Sequence, residues 1–266
     1  METYRKFLKS DRWEEWQSGE TDQKKGMSPP PPQKSYPKDA TLIDLVAPDD
    51  LTIGQMPVIE AIKRRRSRRA FTEESLTLEE LSFLLWATQG IDEEATQAFR
   101  EWLARIMDID AASISSLLRT VPSGGACHPF ETYLLVQRVS GLEPGIYRYL
   151  SVEHKLLFLR ADTELTGKIA GAVAGWAANS AVVFVWTTIP YRTEWRYSIV
   201  SYKMIAQESG HLCQNLYLAS EAIGAGACVV GAYDQAVIDA ILGVDGEDEF
   251  AIAVVPAGKP DYNQRH

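Results

Sequence analysis

Lys63-Arg64-Arg65-Arg66-Ser67-Arg68-Arg69-Ala70-Phe71 is a dense cationic run in a chain that is otherwise acidic, with a formal charge of -9 and an isoelectric point near 5.1. Like charges set side by side repel one another unless an anion meets them, so the run asks for an anionic partner. Arginine forks grip phosphate oxygens in bidentate fashion and Ser67 adds a hydroxyl donor, which makes a bound phosphate the leading expectation. Side chains alternate in an extended turn, so Arg65, Ser67 and Arg69 face one way while Arg66 and Arg68 face the other. A solvated basic loop and a nucleic-acid or targeting patch are the competing readings. The acidic balance gives no global attraction to nucleic acid, which leaves only local binding.

Working outward, Pro57 is placed as a first-turn helix proline, and Val58, Ile59, Ala61 and Ile62 predict a buried stripe ending at the basic residues. On the other side Thr77 and Glu80 form a capping-box pattern, Leu78, Leu81, Leu84 and Leu85 recur at helical spacing, and Gly90 stops the pattern. The run is therefore predicted to connect two helices. Residues 92–118 read as helical in two pieces, one presenting Phe99, Trp102, Leu103 and Ile106, the other Ile114, Leu117 and Leu118. Pro122-Ser123-Gly124-Gly125 follows as a turn whose glycines let a ligand approach the backbone. Strands are expected at 131–139, 145–150 and 155–160, a helix over 162–176, a strand over 181–188 and a long helix over 197–223. An apolar strand at 227–231, a helix capped by Asp234 and a last strand at 250–256 complete the pattern. Hairpin-like strands with separated helices predict an α+β fold with a largely antiparallel sheet. Residues 1–41 form an arm in which Ser28-Pro29-Pro30-Pro31-Pro32 favours extended geometry, and 42–266 form the folded domain.

Several classes are argued against. The start is charged and lacks an apolar signal core. Cys127, Cys213 and Cys228 are odd in number and have no CxxC spacing, against a disulfide framework or zinc site and for a reducing compartment, so a soluble cytoplasmic protein is expected. The uncharged run 169–189 fails as a membrane span, because Ala and Gly dominate its first half, Asn179 and Ser180 interrupt it and Pro190 closes it. Gly224-Ala225-Gly226 with Gly231 ends a helix and precedes a strand, the reverse of the dinucleotide fingerprint. Ser123 lacks the first glycine of a nucleophile elbow. His128, His154, His211 and His266 show no metal-ligand spacing, so no metal is expected.

The segment Arg65-Arg66-Ser67-Arg68-Arg69-Ala70-Phe71 resembles the Arg-x-Ser-x-Arg/Lys-x-Phe segment of the FMN-dependent nitroreductase superfamily, and Pro122-Ser123-Gly124-Gly125 resembles its second flavin-contacting turn. Leu85-Trp86-Ala87-Thr88-Gln89-Gly90, Gly145-Ile146-Tyr147-Arg148-Tyr149, Gly210-His211-Leu212-Cys213-Gln214-Asn215-Leu216 and Ala257-Gly258-Lys259 look like the SagB-type dehydrogenase branch. They follow the expected order over roughly residues 42–260. The resemblance implies a nitroreductase-like α+β fold and an intertwined homodimer with two FMN sites at its interface. It implies that Arg65, Arg66, Ser67 and Arg69 hold the FMN phosphate and ribityl chain, and that Pro122, Ser123, Gly124 and Gly125 approach the flavin from the partner subunit. Val229, Val230 and Gly231 would present backbone groups along the ring edge, Lys259 would reach the phosphate, and Gln89 would be a polar contact. The implied activity moves hydride or electrons between NAD(P)H, or an oxidisable substrate, and a second small-molecule substrate through flavin N5. Azoline oxidation in modified peptides is the branch's own alternative, with Tyr202 and Lys203 as the candidate catalytic pair. A flavin-binding partner without turnover is the reading from another class. Residues 92–118 exceed the connection expected in relatives and read as a helical insertion, either a lid over the flavin or a structural addition.

Overall fold

The computed structural model describes residues 5–264 apart from 109, 112, 113, 115 and 174. Positions 1–4 of the expected arm, 174 of the expected 162–176 helix, 265–266, and 109, 112, 113 and 115 of the expected insertion lie outside the described residues. The described strands are β1 (Leu42–Asp44), β2 (Phe130–Val136), β3 (Gly145–Leu150), β4 (Lys155–Ala161), β5 (Val182–Thr188), β6 (Gly226–Ala227) and β7 (Phe250–Gly258). They form one sheet in the order β1-β4-β3-β2-β5-β7-β6 with every neighbouring pair antiparallel, as the hairpin pattern predicts.

Both faces of the central strands are covered, which is why their sequences read as almost unbroken apolar runs. Alternate residues of β2 and β5 serve separate cores. Leu134, Val136, Phe184 and Trp186 pack with α3 (Leu78–Gln89) and α7 (Ser201–Ala222), and Tyr133, Leu135, Val183 and Val185 pack with α5 (Leu165–Ala172) and α8 (Gln235–Leu242). Each fully buried Leu, such as Leu81, Leu84 and Leu85 on α3, contributes roughly 1.5–3 kcal/mol of transfer free energy. The capping box is present: the Glu80 N–H donates to Thr77 Oγ1 (3.1 Å) and the Thr77 N–H to Glu80 Oε2 (2.9 Å). The basic run does connect two helices, α2 (Val58–Arg64) and α3.

The structure corrects four expectations. On α2 only Ala61 is buried, while Val58, Ile59 and Ile62 are 66%, 57% and 59% exposed, because none of the described residues covers that face. The stretch 92–118, expected to be helical in two pieces, holds one α-helix among its described residues, α4 (Glu93–Met107), capped by Asp92 and ended by left-handed Asp108, and the face of α4 bearing Trp102 and Ile106 is exposed. The long helix begins only at Ser201, since a separate helix, α6 (Tyr191–Tyr197), precedes it and Ser198 at φ 44° breaks the chain direction between them. The strand expected at 227–231 is reduced to β6 and a single bridge from Val230 to Val254.

The arm lies along its own chain. α1 (Trp13–Ser18) stacks Trp16 on Tyr197 and sets Trp13 edge-on to the same ring, and Trp16 Nε1 donates to the Arg196 carbonyl. Farther on, the Lys34 N–H donates to the buried Glu131 carboxylate (2.7 Å), and buried Arg148 donates to the Lys34 and Ser35 carbonyls (3.0 and 2.9 Å). Two charged residues inside the sheet thus obtain partners from the arm's backbone, as buried charges require. No helix among the described residues is long and apolar enough to cross a membrane.

Candidate functional site

The basic turn is pinned to the far edge of the sheet. Ser67 bridges to Ala227 of β6, the Arg68 N–H donates to the Ala227 carbonyl (3.0 Å), and Phe71 bridges to Pro260. Gly226 makes this approach possible, because a Cβ there would stand 2.6 Å from Arg68 Cγ. The extended backbone produces the expected alternation. Arg65 lies over the Tyr217 ring at 5.2 Å and Ser67 Oγ meets the Tyr217 hydroxyl at 3.2 Å, whereas Arg68 turns away to the Tyr262 ring at 5.1 Å. Arg66 folds back on the carbonyls of Lys63 and Arg65, and Arg69 is exposed.

Tyr217, in the last third of α7, also accepts the Val229 N–H at 2.8 Å. One half-buried phenol therefore ties the basic turn to the backbone after β6, and sequence reasoning passed over it because a lone tyrosine in a helix belongs to no motif. Val230 donates its N–H to Val254, and Gly231 is exposed beyond it. Among the described residues, Lys63 pairs with Glu60 and Arg64 with Glu221, while Arg65, Arg66, Arg68 and Arg69 meet no carboxylate. Four uncompensated guanidinium groups in an acidic chain form a local anion trap.

The glycine turn packs elsewhere on the same helix. Glu208 of α7 accepts the Ser123 hydroxyl (2.8 Å) and the Gly124 N–H (2.7 Å), and Ser123 Oγ in turn accepts the His128 N–H (2.9 Å). Burial raises the Glu208 carboxyl while these two donors lower it. Ser123 is thus a structural linker between Glu208 and His128. Gly125, at φ 62°, occupies a left-handed position beside Tyr197, where a Cβ would stand 2.7 Å from the hydroxyl. Pro122 offers its carbonyl to His211 Nδ1 at 3.4 Å. Glu208 and Tyr217 are separated by about 13 Å along the helix at about 1.5 Å per residue, so the chain does not bring its glycine turn and its basic turn together.

The remaining expected site residues have other engagements. Lys259 is ion-paired with Glu80, and buried Gln89 accepts a hydrogen bond from Arg119. Tyr202 and Lys203 open α7 beneath the arm; Lys203 Nζ donates to Ser10 Oγ at 2.9 Å, and Tyr202 is half exposed with its phenol raised by burial and by Glu194. The three cysteines are unpaired, and burial pushes the Cys127 thiol up to about 11 and Cys213 up to about 12, which leaves both as unreactive thiols at neutral pH.

The sequence model of the nitroreductase family matches residues 62–259, which include the basic turn, the glycine turn and Lys259. The chain is 30% identical over 213 residues to "Putative nitroreductase MJ1384" of Methanocaldococcus jannaschii, covering 77% of this chain and 95% of that protein. It is 29% identical over 143 residues to the "Trifolitoxin-processing protein TfxB" of Rhizobium leguminosarum bv. trifolii, covering 52% of this chain but 38% of that protein. Its fold is similar to the crystal structure of a "putative nitroreductase" from Anabaena variabilis, with a TM-score of 0.63, 22% identity, and coverage of 84% of this chain and 42% of that one.

Proposed function

This chain belongs to the nitroreductase family, and on that premise we propose that it is an FMN-dependent oxidoreductase whose basic turn holds the flavin phosphate. The observation that carries the reading is the set of arginines without carboxylate partners, ordered by Tyr217 and β6 at the sheet edge. These residues fit the group. A phosphate needs converging forks and hydroxyl donors, and Arg65 and Ser67 converge on Tyr217 with Arg69 exposed beside them.

When bound, the flavin supplies hydride acceptance and delivery at N5, with NAD(P)H as a transient donor and a small molecule as acceptor. The chain's own part is to bind and orient. Arg65, Ser67 and Arg69 would grip the phosphate, with Arg66 beside them, and Val229, held by Tyr217, would present its backbone to the ring edge together with Val230 and Gly231. Lys259 and Gln89 support the site indirectly, through α3 and Arg119. The glycine turn contributes from a second copy of the chain in a homodimer, since within one chain it stands too far along α7. Three unpaired cysteines favour a reducing, cytoplasmic setting.

The test is the double variant Arg65→Ala with Arg69→Ala. It is expected to lose FMN on purification while keeping its circular dichroism and thermal midpoint; stoichiometric FMN in the folded variant refutes the phosphate assignment. Bleaching of the visible flavin spectrum by NADH or NADPH is expected for the enzyme, whereas tight flavin that neither reduces would mark a binding partner without turnover. The likeness to a trifolitoxin-processing protein supports a second reading, the azoline oxidation in modified peptides that the SagB-type resemblance implies. Tyr202 and Lys203 would serve it only if the arm left Lys203, so turnover of thiazoline peptides by the full chain decides that reading.

A further inference from the structure

Behind the glycine turn is a cavity of about 380 Å³, within the size range of small-molecule sites, closed on one side by the arm at Pro29, Pro30 and Pro32. Among the described residues three arginines line it, Arg119, Arg192 and Arg196, and no Asp or Glu does. That is an unusual wall for a chain with a charge of -9.

The arginines are incompletely satisfied. Arg192 is 4% exposed, and although its Nη2 pairs with Glu131 at 2.5 Å, its Nη1 has no hydrogen-bond partner. Arg119 donates to Gln89 and to the Pro32 carbonyl (2.9 Å), both neutral, and its Nε has no partner. Among the described residues Arg196 reaches the Gly125 carbonyl at 3.3 Å and the Tyr197 ring, both uncharged. Burial pushes the Arg119 guanidinium down to about 10, and burial with the nearby positive charge of Arg119 holds His128 down to about 3, so His128 stays neutral and adds no further positive charge to the cavity. Among the described residues Arg192 pairs with Glu131, whose same carboxylate oxygen also accepts the Lys34 N–H. A buried guanidinium N–H without an acceptor is costly, and a ligand anion relieves that cost. The other walls are apolar, built from Leu103, Met107, Ile114, Leu117 and Trp195.

We propose that this cavity binds a small organic carboxylate with a flat apolar body, its carboxylate on Arg119, Arg192 and Arg196 and its body between α4, Trp195 and the proline arm. The insertion and the arm then have a shared purpose: they supply the apolar walls that the sheet alone does not provide. The inference stands on the cavity's arginines and not on the flavin reading.

The experiment is calorimetric titration of the full chain with benzoate and with its neutral isostere benzamide, with the flavin content of the same preparation read from its visible absorbance. Benzoate is expected to bind about tenfold tighter than benzamide, the size of one charge-assisted hydrogen bond over a neutral one. Arg196→Gln, at the half-exposed rim, and Arg119→Gln are each expected to shrink that preference toward parity. If Arg119→Gln does not fold, Arg196→Gln decides alone. Equal affinities, no binding of benzoate, or a preference untouched in Arg196→Gln overturns the proposal, whatever the flavin content proves to be.

Discussion

Tyr217 shows how much of the candidate site hangs on one atom. Its hydroxyl accepts from Val229 at 2.8 Å and meets Ser67 at 3.2 Å, while its ring supports Arg65. Tyr217→Phe keeps the ring and removes only the hydroxyl, so the core contacts of α7 survive and the link between the two halves of the cradle is lost. A typical hydrogen bond is worth about 1 kcal/mol net, so the apoprotein's affinity for FMN should fall between several-fold and about tenfold. Flavin fluorescence titration measures this, and an unchanged affinity would show that the basic turn holds its geometry without Tyr217. The alternation of Arg65 and Ser67 against Arg68 was legible in the sequence because extended backbone imposes it. Tyr217 was not, since nothing in a helix sequence tells which of its half-buried side chains faces a loop from another part of the chain.

At the scale of elements, the arm is the part whose role its composition conceals. Its prolines announce an extended path, but the surface beneath it is set by Glu131 and Arg148, which read in sequence as ordinary positions of two strands. In the fold both are buried on the sheet, and the backbone from Lys34 to Ser35 provides three hydrogen bonds to them. A chain beginning at Ala40 leaves these charges short of partners. With about 1.5–3 kcal/mol for each hydrogen bond to a charged group, the truncation should cost several kcal/mol and lower the urea midpoint with a smaller slope. An unmoved midpoint would mean that water replaces the arm without loss. The capping box of α3 and the sheet order were legible because they are local or periodic. The break at Ser198, the shortness of β6 and the single helix in 92–118 were not, because each is decided by what packs on the segment.

At the scale of the whole molecule, two observations that look unrelated have one explanation. α2 carries the expected aliphatic stripe, yet Val58, Ile59 and Ile62 face outward; and the glycine turn lies about 13 Å along α7 from the basic turn it should meet. In the homodimer proposed above, a second copy docking on α2 would cover the stripe, and burying three such side chains would contribute roughly 1.5–3 kcal/mol apiece. The same docking would let each copy's glycine turn face the other's basic turn, as twofold symmetry allows. Light scattering on the eluted protein should therefore give twice the 29.7 kDa chain mass. Ile59→Glu, which places a charge on the covered face, should give the single mass and lose FMN together, although Glu there touches no residue of the cradle. A wild-type monomer that carries full flavin sinks the shared-site argument. Co-expression sharpens it further: Arg65→Ala/Arg69→Ala and Gly125→Val are each expected to be colourless alone. In a mixed dimer one site receives both lesions and the other receives neither, so the mixture should regain flavin only if every site is built from two chains.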